Sequence, residues 1–271
     1  MEETAYAKVN LALHVRAREP DGYHRIETLF AFCEHGDRLS VAAGDGLSLA
    51  LAGPFAAALA GEEDNLVMRA ARALRERSGT ARGAALALEK NLPVASGIGG
   101  GSADAAAALR LLNRWWDIAA DEAELIDIAA SLGADVPACV SSTTLRGEGR
   151  GDLLSESPLE IAGTPILLAN PGLPVSTAAV FREWDGVDRG PLGGSLAQSR
   201  NDLEPPALTL APAIDAVLAR LTAAAGVSLV RMSGSGATCF GLFETEAARD
   251  AARKVIAAEH PDWWLLASRL R

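Results

Sequence analysis

A glycine-rich run followed directly by alanine-rich sequence constrains this chain more than any other feature. The run comprises Gly97, Gly99, Gly100, Gly101 and Ser102, and residues 103–112 are strong helix formers. Glycines allow positive φ angles and leave backbone N–H groups uncovered, while a helix start adds partial positive charge. The run therefore predicts a phosphate-binding turn. Ser102 could cap this helix or coordinate a magnesium ion, and we expect Asp104 in the first helical turn.

The glycine run differs from two familiar phosphate-binding loops. No Lys-Ser or Lys-Thr pair follows the last glycine, which excludes a Walker A loop. The G-x-G-x-x-G spacing of dinucleotide-binding folds is also missing. A glycine cluster can equally form a flexible turn before a well-capped helix. These residues alone leave open a different phosphate loop and a purely structural turn.

Composition and charge narrow the range of partners. The 271 residues are 49% hydrophobic, enough for one large or two moderate cores. Thirty-five acidic and 25 basic side chains give a net charge of -10, which disfavours nucleic acid and offers no polybasic patch to a membrane. We therefore expect a small-molecule partner, with the protein a monomer or a homodimer.

The cysteines and the first residues predict a cellular compartment. The three cysteines are far apart and form no Cys-x-x-Cys pair, so neither a disulfide framework nor a zinc ribbon is indicated. The acidic start lacks the regions of a signal peptide, and the longest uncharged stretch, residues 161–181, is interrupted by three prolines. We expect a reduced cytoplasmic protein without a membrane segment.

The alternation of strand and helix patterns predicts an α+β or mixed α/β fold. Arg146 to Ser157 is rich in Gly, Glu and Ser and could be a turn or a domain joint, so we place a soft boundary between domains 1–152 and 153–271. Predicted strands cover residues 4–15, 26–32, 38–42, 84–89 and part of 161–172. Predicted helices cover residues 66–78, 103–112, 121–132, 177–184, 212–225 and 246–258.

Lysine is rare in this chain, which draws attention to its positions. Of the 25 lysines and arginines, only Lys8, Lys90 and Lys254 are lysines. Where arginine is the usual cation, a lysine suggests a position that needs a compact ammonium group. This argument points to Lys8, which could otherwise be a solvent-facing cation on an edge strand.

Three segments of the chain together resemble the GHMP kinases, the superfamily of galactokinase, homoserine kinase and mevalonate kinase. The central one runs from Pro93 through the glycine run, and AYAKVNLAL and MSGSGATCFGLF resemble the first and third motifs of the superfamily in the right order. The resemblance implies an N-terminal α/β nucleotide-binding unit and a C-terminal α+β unit, with ligands in the cleft between them. It also implies an ATP-dependent small-molecule kinase that uses Mg²⁺.

A second set of segments resembles one branch of this superfamily. PDGYHRIETLF, LGADVPAC and RNDLEPPAL are similar to kinases of non-mevalonate isoprenoid precursor synthesis, whose acceptor alcohol carries a cytidine diphosphate. With them the resemblance runs from Ala5 to about Phe243. The implied reaction phosphorylates the 2-hydroxyl of that acceptor. Two alternatives are a GHMP kinase of homoserine or mevalonate type and a non-catalytic nucleotide-binding sensor.

The resemblance assigns catalytic roles to two residues. The matching lysine lies near the acceptor hydroxyl and the matching aspartate is the catalytic base, so Lys8 and Asp135 are the expected catalytic pair. From sequence alone, Asp135 could simply cap a helix start. A neighbouring lysine also weakens an aspartate as a base, so Asp135 could position the hydroxyl instead of deprotonating it.

The resemblance also implies two binding sets. The first, for ATP, adds Pro93, Asn65 and Leu66 to the glycine run, although Asn65 could cap the following helix as well. Tyr23, His24 and Phe181 could otherwise be packing residues. The turn of residues 233–236 is expected to support the phosphate region. The expected acceptor-binding residues are Asn10, Tyr23, His24, Thr177 and Phe181.

Overall fold

The computed structural model describes residues 1–61 and 64–271. Within them the chain forms ten strands. The strands are β1 (Glu2–Arg18), β2 (His24–Ala42), β3 (Leu47–Ala52), β4 (Ala84–Glu89), β5 (Leu145–Glu148), β6 (Leu153–Glu156), β7 (Pro165–Asn170), β8 (Val227–Met232), β9 (Cys239–Phe243) and β10 (Trp264–Arg269).

Eight α-helices lie in the same described residues, with two short 3-10 turns at Ala56–Leu59 and Leu196–Gln198. None of these helices is both long and apolar enough to cross a membrane. The helices are α1 (Leu66–Ser78), α2 (Gly100–Trp115), α3 (Glu122–Ala130), α4 (Val136–Ser141), α5 (Thr177–Arg182), α6 (Glu204–Leu210), α7 (Ala213–Thr222) and α8 (Glu246–Glu259).

The chain divides into two compact units that are interleaved along the sequence, and β1 and β2 contribute residues to both. The boundary after residue 152 therefore stays a prediction. The first unit contains Met1–Lys8, His35–Val94 and Gly99–Ser142. The second contains Val9–Glu34, Ala95–Ile98 and Thr143–Arg271.

In the first unit, helices α1 to α4 accompany a small sheet. The second half of β2 pairs antiparallel with β4, and β3 pairs parallel with β4. Helix α1 packs on α2, and α4 packs on both α2 and α3. The buried face of α2 consists largely of small residues, which leave room for close packing. Five alanines and Asp104 are buried there: Ala103, Ala105, Ala106, Ala107 and Ala108.

Helix α1 confirms its sequence prediction at both ends. Asn65 is the N-cap, and its side-chain oxygen accepts the N–H of Val67 at 2.9 Å. Gly79 ends the helix with φ +69°, the left-handed conformation that glycine adopts without strain. Val67, Ala70 and Leu74 face the core, as the helical spacing predicts.

Strand β2 differs from its prediction. The sequence predicts two strands, 26–32 and 38–42, whereas one strand runs without interruption through Gly36. A Cβ at Gly36 would lie 1.8 Å from the carbonyl oxygen of Ala5, so only glycine permits the backbones to approach this closely. Gly36 lies between the two predicted strands, and its lack of a side chain allows β2 to continue through this position.

The second unit contains a four-stranded antiparallel sheet in the order β10-β7-β9-β8. Its core includes Phe243 from the sheet, Val217 and Leu221 from α7, and Ile256 from α8. Residues 146–157, expected to be a turn or a joint, contain the hairpin of β5 and β6 with its turn at residues 149–152, and β5 also pairs with β2. Gly, Glu and Ser are compatible with a hairpin whose outer positions are solvated.

Candidate active site

The glycine run forms the start of helix α2, three residues earlier than predicted. Gly99 is the N-cap with φ +61°, and Gly100 is the first helical residue. Two sequence predictions are therefore wrong. Ser102 is the third helical residue and does not cap the helix, and Asp104 lies in the second turn, where it is buried. The helix can include two glycines because packing on α1 and α4 offsets their low helix propensity.

Gly99 packs directly against Lys8. A Cβ at position 99 would lie 2.9 Å from Lys8 Cε and 3.4 Å from Lys8 Cβ. Lys8 is 3% exposed although it carries an ammonium group. The absence of a side chain at Gly99 thus provides the space in which this buried lysine lies against the helix start.

Lys8 forms an ion pair with Asp135. Its Nζ donates a hydrogen bond to Asp135 Oδ2 at 2.9 Å, and the Asp135 side chain remains 39% exposed. Asp135 occupies the N-cap position of α4 but makes no side-chain capping bond. Its carboxylate is directed to Lys8 instead. The two predicted catalytic residues therefore lie together, with one carboxylate face open to a ligand.

The start of α1 adjoins the start of α2. A Cβ at Gly101 would lie 3.4 Å from Leu66 Cδ1, so Leu66 packs on the glycine-rich turn of α2. Asn65 is buried and uses its side-chain oxygen to cap α1. The capping role of Asn65 is confirmed. Leu66 lies next to the glycines with which the resemblance groups it, which is compatible with contact to a nucleotide there.

Sequence reasoning missed a second buried lysine below this turn. Lys90, at 1% exposure, donates hydrogen bonds to Asp37 and, at 2.6 Å, to Asp104. Asp37 also accepts the backbone N–H groups of Asn91 and Leu92 at 2.5 and 2.8 Å. A Cβ at Gly100 would lie 3.0 Å from Lys90 Nζ, so this cluster supports the first residue of α2.

Burial and charge oppose each other in the Lys90 cluster, which consists of Asp37, Lys90 and Asp104. Burial raises the pKa of Asp104 to about 8 despite the adjacent ammonium. Burial would lower the pKa of Lys90, but the charges of Asp104 and Asp37 outweigh it and raise that pKa. The scarcity of lysine was a signal that could have identified Lys90, since it applied to Lys90 as well as to Lys8.

In the second unit, the turn of residues 233–236 follows β8. This segment forms hydrogen bonds with the residues that precede α2. Ser233 Oγ donates to the carbonyl of Gly97 at 2.9 Å and accepts the N–H of Asn10 at 3.0 Å. Thr238 N donates to the carbonyl of Ser96 at 3.1 Å. Gly97 has φ +79°, and a Cβ there would lie 2.4 Å from the carbonyl oxygen of Ser233. The positive φ angle and the close approach of Ser233 therefore each require glycine at position 97.

The RNDLEPPAL segment supports the same turn. Asn201 Nδ2 donates to the carbonyls of Met232 and Gly234, both at 2.8 Å. Glu204 accepts the N–H of Met232 at 3.0 Å. The sequence singled this segment out by resemblance alone, and these bonds give it a structural role.

Two predicted acceptor-binding residues lie close to this turn. The amide of Asn10 donates to Thr28 Oγ1 at 2.8 Å, and Asn10 Oδ1 would be 3.2 Å from a Cβ at Gly234. Thr177, the exposed first residue of α5, shares a hydrogen bond of 2.8 Å with Ser235 Oγ. The turn of residues 233–236 therefore bonds the backbone of Asn10 through Ser233 and the side chain of Thr177 through Ser235.

His24 and Phe181 form an aromatic cluster. Their ring centroids lie 4.9 Å apart, and the ring of Trp184 meets His24 edge-on at 5.7 Å. Trp184 was not predicted; it is buried, and its Nε1 has no hydrogen-bond partner among the described residues. Burial, followed by the charge of Arg18, lowers the pKa of His24 below its ordinary 6.5.

Tyr23 lies outside the aromatic cluster of His24, Phe181 and Trp184, and it is 56% exposed. The guanidinium of Arg150 lies 3.9 Å from its ring centroid, and Arg150 also pairs with Asp21. A ring held flat beneath a cation keeps its other face available. Packing over the turn therefore explains only part of the environment of Tyr23.

The groups around the start of α2 suit an anion better than a protein-bound metal. In residues 1–61 and 64–271, no group of three or more His, Cys, Asp or Glu side chains could hold a metal ion. Asp104, the carboxylate nearest to Ser102 in sequence, is buried against Lys90. Ser102 itself is partly exposed. These residues fit a magnesium ion that is carried mainly by phosphate oxygens.

Comparison with known families and proteins agrees with this geometry. Residues 65–143 match the model of the GHMP kinases N terminal domain, and residues 187–262 match that of the GHMP kinases C terminal. A solved crystal structure of 4-(cytidine 5'-diphospho)-2C-methyl-D-erythritol kinase is 37% identical, with a TM-score of 0.84. The alignment covers 100% of this chain and 99% of that one.

Two curated relatives are more similar in sequence. The 4-diphosphocytidyl-2-C-methyl-D-erythritol kinase of Rhizorhabdus wittichii is 58% identical, over 99% of this chain and 94% of the relative. The enzyme of the same name from Sphingopyxis alaskensis is 52% identical, over 100% of this chain and 99% of the relative. Identity at this level over the whole length shows that the chain belongs to the 4-diphosphocytidyl-2-C-methyl-D-erythritol kinase family of GHMP kinases.

Proposed function

We propose that this protein transfers the γ-phosphoryl group of ATP to the 2-hydroxyl of 4-diphosphocytidyl-2-C-methyl-D-erythritol. The observation that carries the proposal is the pairing of Lys8 and Asp135 beside the glycine-rich start of α2. A carboxylate and an ammonium next to an anion-binding helix start are what phosphoryl transfer to an alcohol needs. The family to which the chain belongs supplies the identity of the acceptor.

The phosphates of ATP are proposed to bind at Gly97 to Ser102. Uncovered N–H groups and the positive end of the α2 dipole favour negative charge there. The Lys90 cluster below Gly100 keeps the helix start in place without occupying the outer face of the turn. Asn65, Leu66 and Pro93 are proposed to line the nucleotide site.

In the transfer step, an oxygen–phosphorus bond forms between the acceptor hydroxyl and the γ-phosphorus while the bond to the β-phosphate oxygen breaks, releasing ADP. Asp135 orients the hydroxyl and takes its proton as the new bond forms. The ammonium group of Lys8 stabilises the negative charge that develops on the transferring group. Because the transition state is loose, alignment by this pair matters more than the basicity of Asp135.

A magnesium ion, when bound with the nucleotide, neutralises charge on the phosphate oxygens. Ser102 is proposed as its protein ligand because the hydroxyl is partly exposed at the third position of α2. Asp104 is unsuited to this role because its carboxylate is buried with Lys90.

The cytosine of the acceptor is proposed to bind at the aromatic cluster. His24 and Phe181 offer one ring that can hydrogen-bond and one that can stack. Tyr23 adds an exposed ring whose orientation is held by Arg150. Asn10 and Thr177, which connect to the turn of residues 233–236, are proposed to contact the remainder of the acceptor.

An acceptor panel tests the proposal. The protein is incubated with ATP and Mg²⁺ plus the cytidylyl methylerythritol, mevalonate or homoserine, and phosphorus NMR is used to detect a new phosphomonoester. We expect the product only with the first acceptor. Product from mevalonate or homoserine alone would replace the assignment with another specificity, and ATP binding without any product would favour the nucleotide-binding sensor.

Two matched variants exclude a contaminating kinase in this assay. Asp135→Asn removes the proposed base with little change in shape and should give no product. Asp127→Asn makes the same chemical change on α3, where the exposed Asp127 pairs with Arg77 at 3.3 Å. The second variant should match the parent protein.

A further inference from the structure

One nitrogen of the His24 ring has a defined donor. Arg18 Nε donates a hydrogen bond to His24 Nε2 at 3.2 Å. A ring nitrogen that accepts a hydrogen bond carries no proton, so a neutral His24 must carry its proton on Nδ1. The opposite tautomer would direct an N–H of the ring at an N–H of the guanidinium.

The surroundings of His24 favour the neutral ring. His24 is 9% exposed, and burial followed by the positive charge of Arg18 lowers its pKa. Arg18, on β1, is the charged group that acts on the ring. The ring also meets Phe181 of α5 and Trp184, which follows that helix, and neither carries a charge. The ring therefore stays neutral at pH 7 and keeps a single N–H donor.

Arg18 also holds the helix that carries Phe181. Its second terminal nitrogen donates to the carbonyl of Arg182 at 3.1 Å, at the last residue of α5. Carbonyls at a helix C-terminus lack intrahelical partners, and a cation is favoured there. One guanidinium thus fixes both the rotation of His24 and its position relative to Phe181.

We propose that Arg18 is a positioning residue that holds His24 in the Nδ1–H tautomer and thereby makes the base site select cytosine over uracil. Cytosine N3 accepts a hydrogen bond, which a single N–H donor can supply. Uracil carries a proton on N3, so it would meet that donor with a second donor. The tautomer is a property of the free protein, whereas the selectivity rests on the proposed role of His24 at the cytosine.

Nitrogen-15 NMR of the imidazoles in the free protein tests the tautomer directly. We expect His24 to show the Nδ1–H pattern in the parent protein. Arg18→Met should convert it to a mixture or to the Nε2–H form, and Arg18→Lys, which keeps a cationic donor, should restore much of the parent pattern. An Nε2–H pattern in the parent, or an unchanged pattern in Arg18→Met, would overturn the proposal.

His14 provides an internal control in the same spectra. Its Nδ1 lies 3.1 Å from the carbonyl of Gly190, and its Nε2 accepts the backbone N–H of Arg200 at 3.3 Å. These backbone partners impose the Nδ1–H tautomer without any contribution from Arg18. The signals of His14 should therefore be identical in all three proteins, which separates a local effect at His24 from a general disturbance.

Kinetics with two acceptors tests the selectivity. The parent protein and Arg18→Met are assayed with the cytidylyl acceptor and with its uracil analogue. We expect Arg18→Met to raise KM for the cytidylyl acceptor about tenfold with kcat little changed, and to lower the cytosine-to-uracil ratio of kcat/KM by a similar factor. An unchanged ratio together with an altered tautomer would overturn the selectivity.

The two measurements also separate this proposal from the proposed function. If the parent protein phosphorylates neither acceptor, the proposed function fails, and the NMR result still decides whether Arg18 sets the tautomer. If the parent protein is active but the tautomer does not depend on Arg18, this proposal fails while the kinase assignment stands.

Discussion

Lys8 Nζ donates to Asp135 Oδ2 over 2.9 Å, joining a buried ammonium to a carboxylate that remains 39% exposed. Because one side chain is buried and the other is exposed, the two residues differ in what they can contact. Lys8 is enclosed by Gly99 on one side and can act only through its charge, whereas Asp135 can still meet a substrate. The first prediction follows from this pairing.

We expect Asp135→Asn and Lys8→Met each to lower kcat by roughly 10² to 10⁴, because both residues are proposed to act on the same transition state. The double variant should be scarcely slower than the worse single variant, since residues that act as a unit are not additive. ATP affinity, measured by calorimetry, should stay within about threefold. Additive losses in the double variant would show independent roles.

Gly99→Ala should impair both stability and ATP use. Its φ of +61° disfavours alanine by about 1 kcal/mol, and the new Cβ would meet Lys8 Cε at 2.9 Å. The matched control is Gly79→Ala, which has φ +69° but nothing within 4 Å of the added carbon. Thermal unfolding should show losses in both variants. Only Gly99→Ala should raise KM for ATP, and equal kinetics in the two would remove Gly99 from the site.

Lys90→Met should destabilise the protein by about 3 to 5 kcal/mol, because it leaves Asp37 and Asp104 buried without their cation. Adding Asp104→Asn should recover part of that loss above pH 8, where Asp104 would otherwise be charged. Denaturant unfolding gives both values. Lys254→Met, at an exposed lysine, should change the free energy of unfolding by less than about 0.5 kcal/mol.

The stability supported by His14 should depend on pH. Burial lowers the pKa of this histidine below 6.5 in the folded protein, so the unfolded chain binds the proton more readily. The parent protein therefore loses stability as pH falls below 6.5 towards the folded pKa. His14→Gln lacks this penalty, so its deficit in unfolding free energy should shrink on acidification from pH 7.5 to 5.5. A constant deficit would contradict the shift.

Local sequence signals predicted the elements that depend on near neighbours. Asn65 and Gly79 delimit α1, and the alternating residues of β4 give its bounds of Ala84–Glu89 correctly. The pairing of Lys8 with Asp135 was expected only through family resemblance, since 127 residues separate them. Periodicity cannot reveal such a contact, because it carries no information about which distant residues meet.

The start of α2 and the Lys90 cluster show where local reasoning fails. Propensity placed the helix start after the glycines, yet packing of the helix on its neighbours includes Gly100 and Gly101 in the first turn. This shift moves Asp104 from the exposed first turn to a buried position facing Lys90. A three-residue difference in a helix boundary thus changed a carboxylate predicted in the first helical turn into part of a buried cluster.

The single hydroxyl of Ser233 joins three distant parts of the chain, since it bonds Gly97 and Asn10 across separations of 136 and 223 residues. During synthesis on a ribosome, the backbone at Gly97 therefore remains without this partner until residue 233 has emerged. Closing such long loops is entropically costly and slow. A residue in the last fifth of the chain thus completes the proposed nucleotide loop at residues 97–102. We therefore expect a nascent chain to become competent for catalysis only when translation is nearly finished.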